Sequence, residues 1–191
     1  MPDFQVIAAV SETLRDFLTA ALTPIAVNAQ LDDLTTIPPP NPALLAVFLF
    51  EIGEDPSARN RPRVRDVEIT GEVKLAKPSI TLLLRYLMTP FSGDRLTDHK
   101  ILGRVVQTLY EDSILSGPTL KGVLAGTNQA LKITMAPLSL EERSRVWYAI
   151  QKPYRLSVSY EVRVVNLDPE QASRIQPVRQ RTADFSTPDT P

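Results

Sequence analysis

The chain has 191 residues, 43% of them hydrophobic, with no cysteine and a formal charge of -1 from 21 basic and 22 acidic residues. That length and apolar content suit a single globular domain, and the missing cysteine removes disulfide frameworks and thiolate zinc sites while fitting a reducing cytoplasm. A balanced charge offers no overall positive field for phosphate backbones, so nucleic acid is not an expected partner.

The N-terminus, with Pro2 and Asp3, lacks the basic stretch and apolar run of a secretory signal. The apolar runs Ala43 to Phe50 and Leu82 to Leu84 fall well short of the ~20 residues that cross a bilayer as a helix. A soluble protein without a membrane partner is therefore expected.

Phe4, Ile7, Val10, Leu14, Phe17, Leu18 and Leu22 recur at spacings of three and four with Glu12, Arg15 and Asp16 between them. This periodicity predicts an amphipathic helix ending before Pro24. Pro38, Pro39, Pro40 and Pro42 then impose an extended connector, since each removes a backbone donor. It leads into a buried strand over Leu44 to Ile52, bounded by Gly53. From Glu54 to Lys77 the chain turns charged, with Arg59, Arg61, Arg63 and Arg65 around Pro62, and Val67, Ile69, Val73 and Leu75 alternate with polar residues. A long exposed loop or arm with some strand character is the reading.

Ile80 to Met88 is nearly continuous apolar residue, as in a central strand covered on both faces, and Pro90, Ser92 and Gly93 are expected to stop it. Thr97 can cap a helix with an apolar stripe of Leu102, Val105, Val106 and Leu109, ending at Gly117 and Pro118. Leu131 to Met135 reads as another strand. Ser139 with Glu142 forms a capping box, opening a helix that carries Val146, Trp147 and Ile150 and ends by Pro153. In the last strand Leu156, Val158, Tyr160, Val162 and Val164 alternate with Arg155, Ser157, Ser159, Glu161 and Arg163, which marks one buried and one polar face. An edge strand of that length would offer unpaired backbone to another chain, so it belongs inside the sheet or under a covering segment. After Asp168 prolines and polar residues prevail, so residues 1–168 are expected to form the domain and 169–191 a flexible tail. The sum is an α+β domain, with about four strands in a mixed or antiparallel sheet and the helices packed on one face.

Few residues suggest chemistry. The only histidine, His99, lies between Asp98 and Lys100 at the first turn of a helix; with Asp94 and Asp98 it could form a small metal-assisted hydrolytic site, yet acidic residues at helix starts ordinarily serve the dipole. No GxGxxG, Walker or GxSxG pattern occurs. No enzyme, catalytic residue, cofactor or metal is expected. Arg59 to Arg65 could instead grip phosphate or an acidic protein surface, and Trp147 with Tyr148 could form an exposed hot spot, although Trp147 is expected in the core.

Several segments together resemble the tail-terminator (cap) proteins of extracellular contractile injection systems of the antifeeding-prophage and Photorhabdus virulence-cassette type, in their N-terminal domain. They are Val10-Ser11-Glu12-Thr13-Leu14-Arg15, the pair Arg59-Asn60, Leu82-Leu83-Leu84-Arg85-Tyr86-Leu87-Met88-Thr89 and Asp98-His99-Lys100-Ile101-Leu102-Gly103-Arg104. Leu138-Ser139-Leu140-Glu141-Glu142 with Trp147, and Tyr154 through Val165, complete the set. The resemblance spans most of residues 4–168. It implies a phage tail-terminator-like fold and a structural subunit that closes into a homohexameric ring, halts growth of inner tube and sheath, and stays on the particle as a cap. It implies assembly in the cytoplasm before the particle is released, and no catalytic residue. Arg59, Asn60, Arg61, Arg63 and Arg65 are the expected contact residues. A baseplate or neck connector is the alternative within the class.

Overall fold

In the computed structural model the described residues are 4–36, 42–57, 64–67, 73–76, 80–167 and 172–175, with 64–67, 73–76, 165–167 and 172–175 described by backbone alone. The expected first helix forms as α1 (Val6–Leu22), burying Val6, Ala9, Val10, Leu14, Leu18 and Leu22 along one stripe. A short 3-10 turn at Thr23–Ile25 and Ala26, held left-handed at φ 54°, reverse the chain into β1 (Asn28–Leu31). Next come β2 (Leu44–Glu54), β3 (Val64–Val67), β4 (Val73–Ala76) and β5 (Ile80–Phe91). They are followed by α2 (Arg95–Glu111), β6 (Ile114–Ser116), β7 (Ala130–Met135), α3 (Leu140–Ala149), β8 (Val158–Leu167) and β9 (Ala172–Ile175).

The main sheet has six strands in the order β1-β2-β5-β8-β7-β6. Only β1 with β2 is parallel, so the sheet is mixed. The expectation of about four strands is corrected in an instructive way: the four read from the sequence are the central ones, β2, β5, β8 and β7. The two that were missed are the edges, four and three residues long, too short to show a period. Edges this short are also poor templates for unwanted pairing. The long alternating strand β8 lies inside, between β5 and β7.

A second sheet, β3-β4-β9, is antiparallel throughout. Its order repeats that of β2-β5-β8, because β3 follows β2 in the chain, β4 precedes β5, and β9 follows β8. The strand character expected between 54 and 77 is thus real backbone pairing. Beyond residue 168, where a tail was expected, the chain supplies β9.

Helices cover both faces of the main sheet, not one. Leu45 and Val47 of β2, Leu84, Tyr86 and Met88 of β5, and Tyr160, Val162 and Val164 of β8 join α1 and the Ile101, Val105 and Leu109 stripe of α2 in the larger core. On the other face Ala46, Leu87 and Phe91 pack with Leu34 and with Trp147 of α3. Hydrophobic periodicity says that a helix buries a stripe, not which side of a sheet receives it. Each fully buried large apolar side chain contributes about 1.5–3 kcal/mol relative to exposure, so α3 is anchored mainly by its tryptophan.

Polar groups inside the larger core are tied off. The Ser11 and Tyr86 hydroxyls share a 2.8 Å hydrogen bond between α1 and β5, and burial pushes the Tyr86 phenol up to about 12 despite that bond. Thr13 Oγ1 donates to the Ala9 carbonyl at 2.7 Å and accepts from the Lys121 N–H at 3.0 Å. That second bond pins the loop before β7 to α1, and Gly122 (φ +54°) follows so closely that a Cβ there would sit 3.1 Å from Ala9 Cβ.

Three further boundaries differ from expectation. β5 continues through Pro90 to Phe91; its pairing with β8 ends at Met88, so the proline lies where only β2 needs a partner. The cap of α2 is Asp94, not Thr97, and its carboxylate accepts from the Thr97 N–H at 2.8 Å. α2 ends at Glu111 because β6 follows at once.

Candidate assembly surface

The face of the sheet opposite α1 and α2 is only partly covered by α3. Beyond the Trp147 cluster it carries a ladder across three strands, since the register sets Glu51 of β2 opposite Arg85 of β5 and Arg85 opposite Glu161 of β8. Arg85 Nη1 donates to Glu51 at 3.0 Å and Arg85 Nε to Glu161 at 3.3 Å. Burial disfavours the guanidinium charge, but the bonds to Glu51 and then Glu161 outweigh it and raise the Arg85 pKa. Arg163 reaches Asp55 at 3.2 Å on the same side. A cross-strand ladder of alternating sign fixes register and leaves a polar, hydrogen-bonded face.

The sheet edges add a second kind of surface. β1 pairs with β2 only from Leu44 to Val47, so the outer side of β2 from Phe48 to Glu54 has no strand partner among the described residues. A hollow of about 330 Å³ opens where β1 leaves β2, lined by Leu31, Asp32, Asp33 and Phe48 among others. Large apolar side chains stand in solvent on several elements, notably Leu96 and Tyr110 of α2, Leu140 and Tyr148 of α3, and Ile114 on the β6 edge.

The expected site residues are distributed differently. Arg59, Asn60, Arg61 and Arg63 lie outside the described residues; Arg65 lies on β3 opposite Leu75 of β4, described by backbone alone. Asp94, Asp98 and His99 lie at the start of α2. Asp94 holds the helix start, Asp98 Oδ1 accepts from the Ser92 N–H at 3.1 Å and its hydroxyl at 2.7 Å, and His99 is exposed. Hydrogen bonds from Thr97, side chain then backbone, hold the Asp94 carboxyl below its ordinary range. Among the described residues no cluster of His, Asp or Glu is placed to hold a metal ion, and no helix is long and apolar enough to cross a membrane. Trp147 is buried as expected, and Tyr148 is exposed. The ladder was invisible in sequence because its members are 34 and 76 residues apart.

Residues 9–181 match the model of the Pvc16 N-terminal domain. The chain belongs to the Pvc16 N-terminal domain family. Among solved structures it is similar to the sheath/tube terminator of PVC, an extracellular contractile injection system, in the extended state, with TM-score 0.62 and 21% identity over 97% of this chain and 67% of that one. It is equally similar to the tube-terminating cap of the anti-feeding prophage, again with TM-score 0.62 and 21% identity, over 97% of this chain and 62% of the cap. The Pvc16-type domain thus spans about two-thirds of these larger subunits. No curated protein matches.

Proposed function

We propose that this chain is the terminating cap of a contractile, phage-tail-like injection particle: a structural subunit that closes into a homohexameric ring on the last layer of the inner tube and halts growth of tube and sheath. The observation that carries the reading is the family match over 9–181 joined to a likeness to two terminators that takes in 97% of the chain. A heterologous contact whose rotation closes yields a finite ring, and a ring matched to the tube on one side only ends polymerisation. Binding at such an end is multiplied by the number of subunits engaged, so modest contacts become long-lived.

The polar ladder face and the exposed apolar side chains support contact with protein partners. Within the same proposal the arginine-rich segment with Arg59, Asn60, Arg61, Arg63 and Arg65 is a docking arm, the main-sheet domain ends near residue 168 with β9 as an extension of it, and assembly takes place in the cytoplasm before the particle is released. No catalytic role is assigned.

The test is negative-stain imaging of particles from cells that lack the gene, complemented with wild type or with Arg59, Arg61 and Arg63 changed to Glu. Loss of the gene is expected to give uncapped, overlong tubes. Capped tubes of regulated length without the gene refute the function, and the same outcome with the triple variant refutes the arm alone.

A further inference from the structure

A cavity of about 100 Å³ lies between the β7–α3 connection, α3 and the start of β8, with Met135, Pro137 and Leu138 among its walls and Arg143, Ser157 and Ser159 as polar lining. The connection is clamped over β8, since the Ala136 N–H donates to the Ser159 carbonyl at 3.0 Å and the Ser159 hydroxyl donates to the Ala136 carbonyl. Of the polar residues lining the cavity, Ser159 is engaged in this way and Arg143 and Ser157 are not. Ser157 is 1% exposed, and neither its Oγ nor Arg143 Nε has a hydrogen-bond partner among the described residues. Trp147 Nε1, one turn beyond Arg143 on the same side of α3, and Thr89 Oγ1, which the register continues opposite Ser157, are unpartnered as well.

Native proteins rarely leave such groups unsatisfied, because each buried, unpaired donor carries a desolvation cost. Arg143 Nε can only donate and the serine hydroxyl can donate, so the complement is an oxygen acceptor, best a charged one. The volume admits one side-chain carboxyl and nothing as large as a nucleotide.

The distribution of charge supplies that acceptor. Of the 22 acidic residues eight fall within residues 1–57, against one of the 21 basic residues. Those residues build α1, β1 and β2, so the acidic end of the sequence is one edge of the sheet, while the cavity lies towards the other, at β8, β7 and α3. The edge presents Asp32 and Asp33 directly after its outermost strand. A head-to-tail ring needs two different surfaces of one chain that complement each other.

We propose that this cavity takes a carboxylate of the neighbouring copy, supplied by Asp32 or Asp33 at its β1 edge, with Arg143 Nε–H and Ser157 Oγ–H donating to it. The idea rests on the ring closure proposed above.

The experiment is mass photometry of the purified full chain across a concentration series, with melting temperature measured on each variant as monomer. Ser157→Ala is expected to raise the concentration at half-assembly by about tenfold, or about 1.4 kcal/mol per contact, while the monomer melts at the same temperature or higher. Arg143→Gln should behave alike. Changing Asp32 and Asp33 to Lys should weaken rings, and adding Arg143→Glu to that variant should restore them in part. Rings unaffected by Ser157→Ala and Arg143→Gln overturn the site, and a lower monomer melting temperature with unchanged rings identifies an internal water site instead. Loss without restoration in the charge swap overturns Asp32–Asp33 as the source. A wild type that stays monomeric overturns ring closure and this contact together, whereas tube-end binding, measured separately by imaging, decides capping by itself.

Discussion

Trp147→Ala isolates the smaller core from the larger one. Trp147 is 2% exposed and packs with Leu34, Ala46, Leu87 and Phe91, so its removal takes the largest member from a cluster of five. Truncation of a buried aromatic costs about 3–5 kcal/mol. Its indole N–H has no partner among the described residues, so the substitution also relieves a desolvated donor, which moves the expectation to the lower end, about 3 kcal/mol. For a chain of this size each kcal/mol shifts the melting temperature by about 2–4 °C, giving a fall of about 6–12 °C. Urea unfolding followed by far-ultraviolet circular dichroism is the assay, because Trp147 is the only tryptophan and its loss removes the fluorescence probe. Trp147→Phe keeps an aromatic ring and loses only the unpaired N–H with part of the volume, so it should cost less than half as much. A loss below about 1 kcal/mol for the alanine variant would falsify the anchoring of α3 by its tryptophan.

The Tyr86 phenol titrates in the folded state at about 12, above its ordinary 10.0; the folded protein therefore holds the proton more tightly, and the stability this contributes is intact below pH 10 and lost as pH rises towards about 12. Tyr86→Phe should flatten the decline in urea midpoint between about pH 10 and pH 12, and an unchanged slope would refute the assignment. Ser139→Ala breaks a capping box in which the Glu142 N–H donates to Ser139 Oγ at 3.2 Å and the Ser139 N–H donates to Glu142 at 2.8 Å. It should cost about 1 kcal/mol in urea unfolding; the backbone Ser139 N–H, which the alanine keeps, is the main group holding the Glu142 carboxyl below its ordinary range, so the stability of that bond, present at neutral pH and lost in acid, should decline largely in parallel in wild type and variant. Truncation after Ile175 should leave the melting temperature unchanged, whereas truncation before Ala172 removes the partner of β4 and should expose residues 73–76 to faster amide exchange; equal exchange in the two truncated chains would refute the pairing.

Much of this fold was legible where a residue's own neighbours determine its environment. The three-and-four spacing of α1, the strict alternation of β8 and the Ser139–Glu142 box all appear as read, because period and cap chemistry are local. The misses share a different physics. Asn28–Leu31 and Ile114–Ser116 are too short to carry a period and become strands only because β2 and β7 offer them backbone partners. Asp94 displaced Thr97 as cap because the helix starts three residues earlier than its apolar stripe suggests, and there the Asp94 carboxylate accepts from the Thr97 N–H. The side of the sheet chosen by α3, the Glu51–Arg85–Glu161 ladder and the cavity at Ser157 depend on register between strands far apart in sequence, which no local pattern encodes. The arm from Arg59 to Arg63 could be read as exposed and basic, yet charge alone does not say what it meets.

The place of β8 in the sheet also has a meaning for synthesis. β5 and β7 are complete by residue 135, but the strand that separates them runs from Val158 to Leu167. A ribosome must therefore deliver most of the chain before the middle of the sheet can close, and until then β5 and β7 each show an unfilled flank. Such long-range closure slows folding and leaves nascent edges that invite chaperones. It also means that an incomplete chain lacks the centre of its own sheet: a prematurely released fragment has no finished platform to offer any partner, so the fold itself withholds its surfaces until translation has passed residue 167.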